Sequence, residues 1–131
     1  MQQTGLYLLD TNIVIGLLAS DSSICNSFSS IQLSGLPITV LGELYFGAYL
    51  SSKKEKNIAA LQQLVKTLTV YQTSDDVSVK YGEVKSELKN QGTPIPENDI
   101  WIAAITLSYQ ATLVTRDSHF NNIKGLQIVP W

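Results

Sequence analysis

Apolar and polar positions recur along the chain with two different periods. Residues 5–9 form a short apolar run, Gly-Leu-Tyr-Leu-Leu, of strand length. Over 11–19, Ile13, Val14, Leu17 and Leu18 recur at helical spacing and predict an amphipathic helix. The serine-rich stretch 20–34 is broken by Ile24, Phe28, Ile31 and Leu33, whose spacing predicts a short, half-buried helix between loops. A second strand is expected over 36–39, opened by Pro37, then a helix over 41–50, a lysine-rich break and a helix over 55–66. A third strand follows over 68–71. Ser74 reads as an N-cap with Asp75 and Asp76 in the first turn of a helix that carries Val77, Tyr81, Val84 and Leu88 inward and stops near Gly92. A rigid loop over 92–96 leads into a nearly all-apolar, hence central, helix over 97–109. The last two strands fall at 112–115 and 127–129.

This alternation predicts an α/β fold in one domain, 1–131, with a mostly parallel central sheet flanked by helices on both faces. In such folds ligands bind beyond the carboxyl ends of the strands, so functional residues should sit just after strands. The length of 131 residues suits one core. With 44% hydrophobic and 15% charged residues, the chain is globular rather than disordered. The lone Cys25 leaves no intramolecular disulfide or CxxC zinc site and is expected to be a small buried hydrophobe. It fits a reducing, cytoplasmic compartment. No signal peptide is visible, and apolar runs such as 100–107 are too short for a membrane span.

The net charge of −2 argues against a broadly basic nucleic-acid surface, although carboxylates that hold cations would count toward it. Two acids fall just beyond strands: Asp10 after 6–9 and Asp117 one residue after 112–115. Glu43 is expected in the first turn of the helix after the 37–39 strand, and Asp99 opens the helix after the proline loop. Clustered carboxylates repel one another and are costly to desolvate together. A hard divalent cation resolves that conflict, and can activate water and stabilise charge developing on a phosphodiester. Each acid also has a plainer explanation. Asp10 could be a helix cap, Glu43 and Asp99 could complement a helix dipole, and Asp117 could be a turn residue paired with Arg116. Against this, Glu43 and Asp99 abut the apolar runs 44–46 and 100–104, where charges seldom serve as solvated decoration. Asp75, Asp76, Glu83 and Glu87 read as solvated helix acids. His119, the sole histidine, has no evident partner and reads as structural or incidental, and Tyr7, Trp101 and Trp131 read as core.

At these residues the chain resembles the PIN-domain ribonucleases, most closely the VapC-type toxins of toxin–antitoxin pairs. The resemblance covers essentially the whole chain. It is carried by Leu8-Leu9-Asp10-Thr11-Asn12, by the glutamate segment 38–48 around Glu43, by Gly92-Thr93-Pro94-Ile95-Pro96-Glu97-Asn98-Asp99, and by Leu113-Val114-Thr115-Arg116-Asp117-Ser118-His119-Phe120. It implies that Asp10, Glu43, Asp99 and Asp117 are catalytic and bind Mg2+ or Mn2+ for hydrolysis of RNA, with Asn12 and Thr115 as accessory residues that steady the acids. It also implies a VapB-like antitoxin partner and a homodimer, with no membrane association. Lys53, Lys54, Lys56, Lys85 and Lys89 are candidates for phosphate contact. The alternative is a catalytically silent PIN-like binding module. An aspartate-phosphorylated receiver fits poorly, because Asp10 is followed by Thr11 and Asn12 rather than by a second acid, and an Asp-x-Asp phosphatase fails at Asn12. For an antitoxin, the apolar surface of residues 44–50, together with Ile58, Leu61 and Val65, is the expected docking groove.

Overall fold

The computed structural model of the chain describes residues 3–131, with side chains from residue 5 onward. Strand β1 (Gln3–Leu9) is followed by helices α1 (Thr11–Leu18) and α2 (Ser22–Ser29). Strand β2 (Ile31–Pro37) leads into α3 (Ile38–Leu50) and α4 (Lys54–Val65), and β3 (Thr69–Tyr71) into α5 (Asp75–Gln91) and α6 (Glu97–Ser108). Strand β4 (Thr112–Val114), a 3-10 turn (Ser118–Asn122) and β5 (Gln127–Val129) complete the chain. The five strands form one sheet in the order β3-β2-β1-β4-β5, and every pairing is parallel. The expected parallel α/β architecture is what forms.

Successive side chains of a strand point to opposite faces. Leu8 and Leu9 at the end of β1 are both fully buried and belong to two different apolar clusters, so helices cover the sheet on both sides there. Helix α6 is buried at Ile100 and along 102–106, which explains its lack of a polar face. Its one polar group in that run, Thr106, is satisfied by donating to the Ile102 carbonyl at 2.8 Å. Helix α5 is amphipathic, with Val77, Val84 and Leu88 buried. Ser74 accepts from the Val77 amide at its start, and Gly92 closes it in the left-handed region at φ 74°.

The second strand departs from expectation. It spans Ile31–Pro37 rather than 36–39, and Pro37 closes it instead of opening it. Ile31 and Leu33 therefore belong to β2, and the helix in the serine-rich stretch is confined to Ser22–Ser29. The cause is local. Proline has no amide to give to a continuing ladder, yet its fixed φ suits the residue before a helix, and Pro37 sits at φ −62°, ψ 144° directly ahead of α3. Gly35 permits close pairing with β3, since a Cβ there would collide with the Thr69 carbonyl and the Tyr71 ring. Cys25 is half-buried rather than fully buried. Tyr7, Trp101 and Trp131 pack against the two apolar clusters, and Trp101 stacks on Tyr81 at 4.0 Å between ring centroids. Among the described residues no helix is long and apolar enough to cross a membrane.

Candidate active site

The strand order locates a site before any side chain is considered. From β1 the chain builds outward through β2 and β3 on one side, and β4 and β5 lie on the other. A crevice opens at the carboxyl ends of β1 and β4, where the direction of winding reverses. Asp10 immediately follows β1, and Asp117 lies just beyond β4. The Asp10 amide donates to the Val114 carbonyl at 3.0 Å and holds the two strand ends together.

Asp10 is only 5% exposed and is held through both carboxylate oxygens. Oδ1 accepts from the Thr11 amide at 2.8 Å, so the residue caps α1. Oδ2 accepts from Thr115 Oγ1 at 2.7 Å and from Asn12 Nδ2 at 3.4 Å. Thr115 Oγ1 in turn accepts from the Asp117 amide at 3.0 Å, which links two of the acids through one hydroxyl. The helix-cap explanation for Asp10 is thus correct but incomplete, since the cap uses one oxygen and leaves the other turned to the Thr115–Asn12 side.

Glu43 reaches the same place from α3. Because that helix begins at Ile38, Glu43 lies in its second turn rather than its first, so a helix-dipole role does not account for it. Its Oε2 accepts from Thr11 Oγ1 at 3.0 Å, while Oε1 is buried with no hydrogen-bond partner among the described residues. Asp99 lies in the first turn of α6, as expected, with its side chain 15% exposed. Asp117 caps the 3-10 turn by accepting from the His119 amide at 2.9 Å. Arg116 does not pair with it. The guanidinium lies 3.7 Å from Asp21 and donates to the Trp131 carbonyl at 2.7 Å.

The acids share one electrostatic neighbourhood. Burial is the first cause that lifts the Asp99 carboxyl to about 6, followed by the charge of Asp10; Asp117 and Glu43 add smaller increments, and the His119 contact opposes them. Burial likewise raises Asp10, against hydrogen bonds from Thr115 and Thr11 and with a push from Asp117. Burial also raises Glu43, with the Asp10 charge adding to it and Thr11 and Asn98 partly offsetting it. All three carboxyls are raised in the same direction, as desolvated like charges in one neighbourhood require.

Two residues beside the acids depart from expectation: Thr11 carries no predicted role, and His119, expected to lack a partner, has two carboxylates beside its ring. Thr11 directs its hydroxyl to Glu43. His119 places Nδ1 3.3 Å from Asp99 Oδ2 and 3.1 Å from Asp117 Oδ1. Asp99, Asp117 and His119 form a group whose potential ligand atoms all lie within 4.8 Å of one another. The spacing Asp117-x-His119 was visible, but the Asp99 contact spans 20 residues and needs the fold to reveal it.

From Thr11 and Glu43 a groove of about 560 Å3 runs between α1, α3 and α4, lined by Ile15, Leu18, Leu44, Ala48, Lys53 and Lys56 among others. Of the expected docking residues, Leu44, Ala48 and Leu61 line it, but Tyr45, Phe46, Tyr49, Leu50, Ile58 and Val65 do not. Ile15 and Leu18 of α1 form a wall that was not anticipated.

The structure is thus a parallel α/β domain that gathers four acids at its switch point, one of them buried and three partly buried. The PIN domain family model matches residues 7–126. Ribonuclease VapC1 of Haemophilus influenzae (strain R2866) is 34% identical, with 96% of this chain and 98% of the relative covered. In the solved structure of VapBC2 from Rickettsia felis bound to a promoter DNA fragment, one chain matches with a TM-score of 0.89 at 30% identity, over 96% of this chain and 98% of the other. The DNA-bound VapBC structure from Salmonella typhimurium matches with a TM-score of 0.90 at 27% identity, over 100% and 99% of the two chains. The chain belongs to the PIN-domain family, in its VapC-type branch.

Proposed function

We propose that this chain is a cytoplasmic, divalent-metal-dependent endoribonuclease, the toxin of a toxin–antitoxin pair, folded as one PIN-like domain over 1–131. The observation that carries this reading is the convergence of Asp10, Glu43, Asp99 and Asp117 at the sheet's switch point, where burial first, and then the charge of Asp10, lifts the Asp99 carboxyl to about 6. The donor set suits Mg2+ or Mn2+: carboxylate oxygens predominate, their mutual repulsion favours a cation, and Glu43 Oε1 is buried with no partner at hydrogen-bond distance among the described residues. Asp10, Glu43, Asp99 and Asp117 are the residues that would hold the ion. Bound there, it would supply Lewis-acid stabilisation of a phosphodiester oxygen and acidify a water.

The chain's own residues do the rest. Thr115 and Asn12 fix Oδ2 of Asp10, and Thr11 fixes Glu43, so the acids are preorganised rather than mobile. Lys53 and Lys56 on the groove wall can meet phosphates of an RNA approaching Glu43. Lys85 is the poorer candidate, since it is paired with Glu97 at 3.1 Å. The groove also suits an apolar segment of a VapB-like antitoxin, anchored on Ile15, Leu18 and Leu44, with an arginine reaching the carboxylates. Self-association into a homodimer is supported by a separate exposed apolar ridge on α3, Phe46, Tyr49 and Leu50. The direct test is RNA cleavage by Asp10→Asn and Asp99→Asn proteins with added Mg2+. Both are expected to be inactive, and retained Mg2+-dependent cleavage in both would overturn the assignment.

A further inference from the structure

His119 stands apart from the other residues at the site because it offers nitrogen where they offer oxygen. Its ring is not a loose surface group. The 3-10 turn that carries it is pinned by Phe120, fully buried, and Ile123, 6% exposed, and by the His119 amide donating to Asp117 at 2.9 Å. That anchoring sets Nδ1 between two carboxylates from separate elements, the start of α6 and the segment after β4, at 3.3 Å from Asp99 Oδ2 and 3.1 Å from Asp117 Oδ1. Neighbouring ligands in an octahedral shell of radius about 2.1–2.2 Å sit about 3 Å apart, which both Nδ1 distances match, and the candidate ligand atoms of all three residues lie within 4.8 Å of one another. The ring's other side is open, with the side chain 51% exposed, which leaves room for water and substrate.

We propose that His119 supplies Nδ1 as a ligand to the divalent cation held by Asp99 and Asp117, and so tilts this site away from Mg2+ toward Mn2+ and the later first-row ions. An imidazole adds little for Mg2+, which takes oxygen ligands and keeps its waters, and more for transition ions. The inference rests on the metal-dependent reading above and adds the nitrogen ligand. The competing role for His119 is purely positional, as a hydrogen-bond donor that holds the two carboxylates in place.

The sole histidine makes the test unambiguous, because in an untagged full chain every imidazole is His119. The protein is prepared with 15N-labelled histidine and titrated with Mn2+ alone. Loss of the free-ion EPR signal reports binding, and pulsed EPR reports whether a 15N nucleus is coupled to the bound ion. The expected result is a 15N coupling in the wild type that His119→Ala and His119→Gln both lack. Both variants should lose about tenfold in Mn2+ affinity, with Mg2+ affinity changed by less than about threefold. Bound Mn2+ without 15N coupling overturns the inference and leaves the metal-dependent reading standing. Recovery of Mn2+ affinity in His119→Gln, which keeps a donor to the carboxylates but no imidazole, assigns the positional role and also overturns it. Failure of the wild type to bind Mn2+ overturns both.

Discussion

Two groups of aspartates begin helices in this chain, and they have opposite fates. Asp75 and Asp76 open α5, where both are exposed and free to be solvated. Asp10 and Asp99 also sit at helix starts, ahead of α1 and in the first turn of α6, yet the first is 5% exposed and the second has its carboxyl pushed to about 6. The helix-end environment is similar in all four cases and favours a negative charge. What differs is position relative to the sheet. Helices α1 and α6 start at the reversal of strand order, where neighbouring carboxylates from β1, α3 and the β4 side converge. Helix α5 starts away from it. Local sequence can show that an acid caps a helix, but only topology decides whether the same acid also belongs to a cluster.

The sharpest way to break this contrast is to neutralise one member of the cluster. Asp10→Asn or Asp99→Asn should lower RNA cleavage by on the order of a hundredfold or more, because each loses a charge that would help hold an ion worth several kcal/mol to the transition state. In metal-free protein, Asp99→Asn should leave the thermal midpoint unchanged or higher, since a repelled, desolvated charge is removed. A calorimetric scan showing a large drop in stability would mean that the carboxylate is structural after all.

The raised carboxyls also set a pH dependence. The Asp99 group ionises near 6 in the folded protein and near 3.8 ordinarily. Above pH 6 it is charged in both folded and unfolded chains, and the folded state bears the full penalty. As pH falls from 6 toward 4, the folded protein takes up a proton that the unfolded chain does not, so stability rises. Down to pH 5 the gain should be on the order of 1–1.5 kcal/mol, about one pH unit of differential proton uptake. Chemical denaturation of metal-free protein at pH 7.5 and pH 5 reads it directly, and Asp99→Asn should flatten the difference. Stability that falls over the same window would contradict the coupling of the acids.

Smaller effects follow one shell outward. Thr115→Val keeps shape but removes the donor to Asp10 Oδ2, a contact of 2.7 Å in a residue 2% exposed. A lost hydrogen bond to a buried carboxylate costs roughly 1.5–3 kcal/mol, and metal affinity should fall by about tenfold, measurable by calorimetric titration. Partner binding should respond to a different surface. Ile15, 55% exposed and lining the groove, is the position where a charge should hurt most, so Ile15→Glu should release active nuclease from an antitoxin complex. Tyr49→Glu, 62% exposed but off the groove, should leave that complex intact. If Tyr49→Glu alone dissociates it, the antitoxin docks on the outer ridge of α3.

Much of this architecture could be read directly from residue patterns. The apolar run of β1 and the continuous hydrophobicity of α6 are legible because burial on every side leaves no polar face to confuse the period. The Ser74 and Gly92 ends of α5 are legible because capping chemistry is local. The bounds of strand β2 are not legible because Gln32, Ser34 and Gly35 dilute its apolar pattern, and because Pro37 suits either a strand's start or the step into a helix. Asp10, Glu43, Asp99 and Asp117 could be singled out by their apolar flanks and their places after strands. The Thr11–Glu43 and His119–Asp99 contacts could not, because each joins residues from separate elements through a side-chain direction that no local period encodes.

The smallest expected effect is also the one that tests the contrast from its other side. Replacing Asp75 and Asp76 together by serine removes two negative charges, as many as a double substitution within the cluster would. If net charge near helix ends governed activity, the two doubles would behave alike. The geometry says otherwise. Both residues are exposed, and the cap of α5 is made by Ser74, whose hydroxyl accepts from the Val77 amide at 3.3 Å and is untouched by the change. What is lost is the favourable interaction of each charge with the helix start, roughly 0.3–1 kcal/mol apiece and less in salt. The expected outcome is a thermal midpoint lowered by roughly 2–7 °C, with Mg2+ affinity and RNA cleavage within about twofold of the parent. A midpoint that recovers toward the parent value in low salt would contradict the dipole origin, since screening weakens that interaction and low salt should widen the difference instead. A collapse of cleavage with unchanged metal affinity would move the functional surface to the start of α5 and end the distinction between the two groups of aspartates.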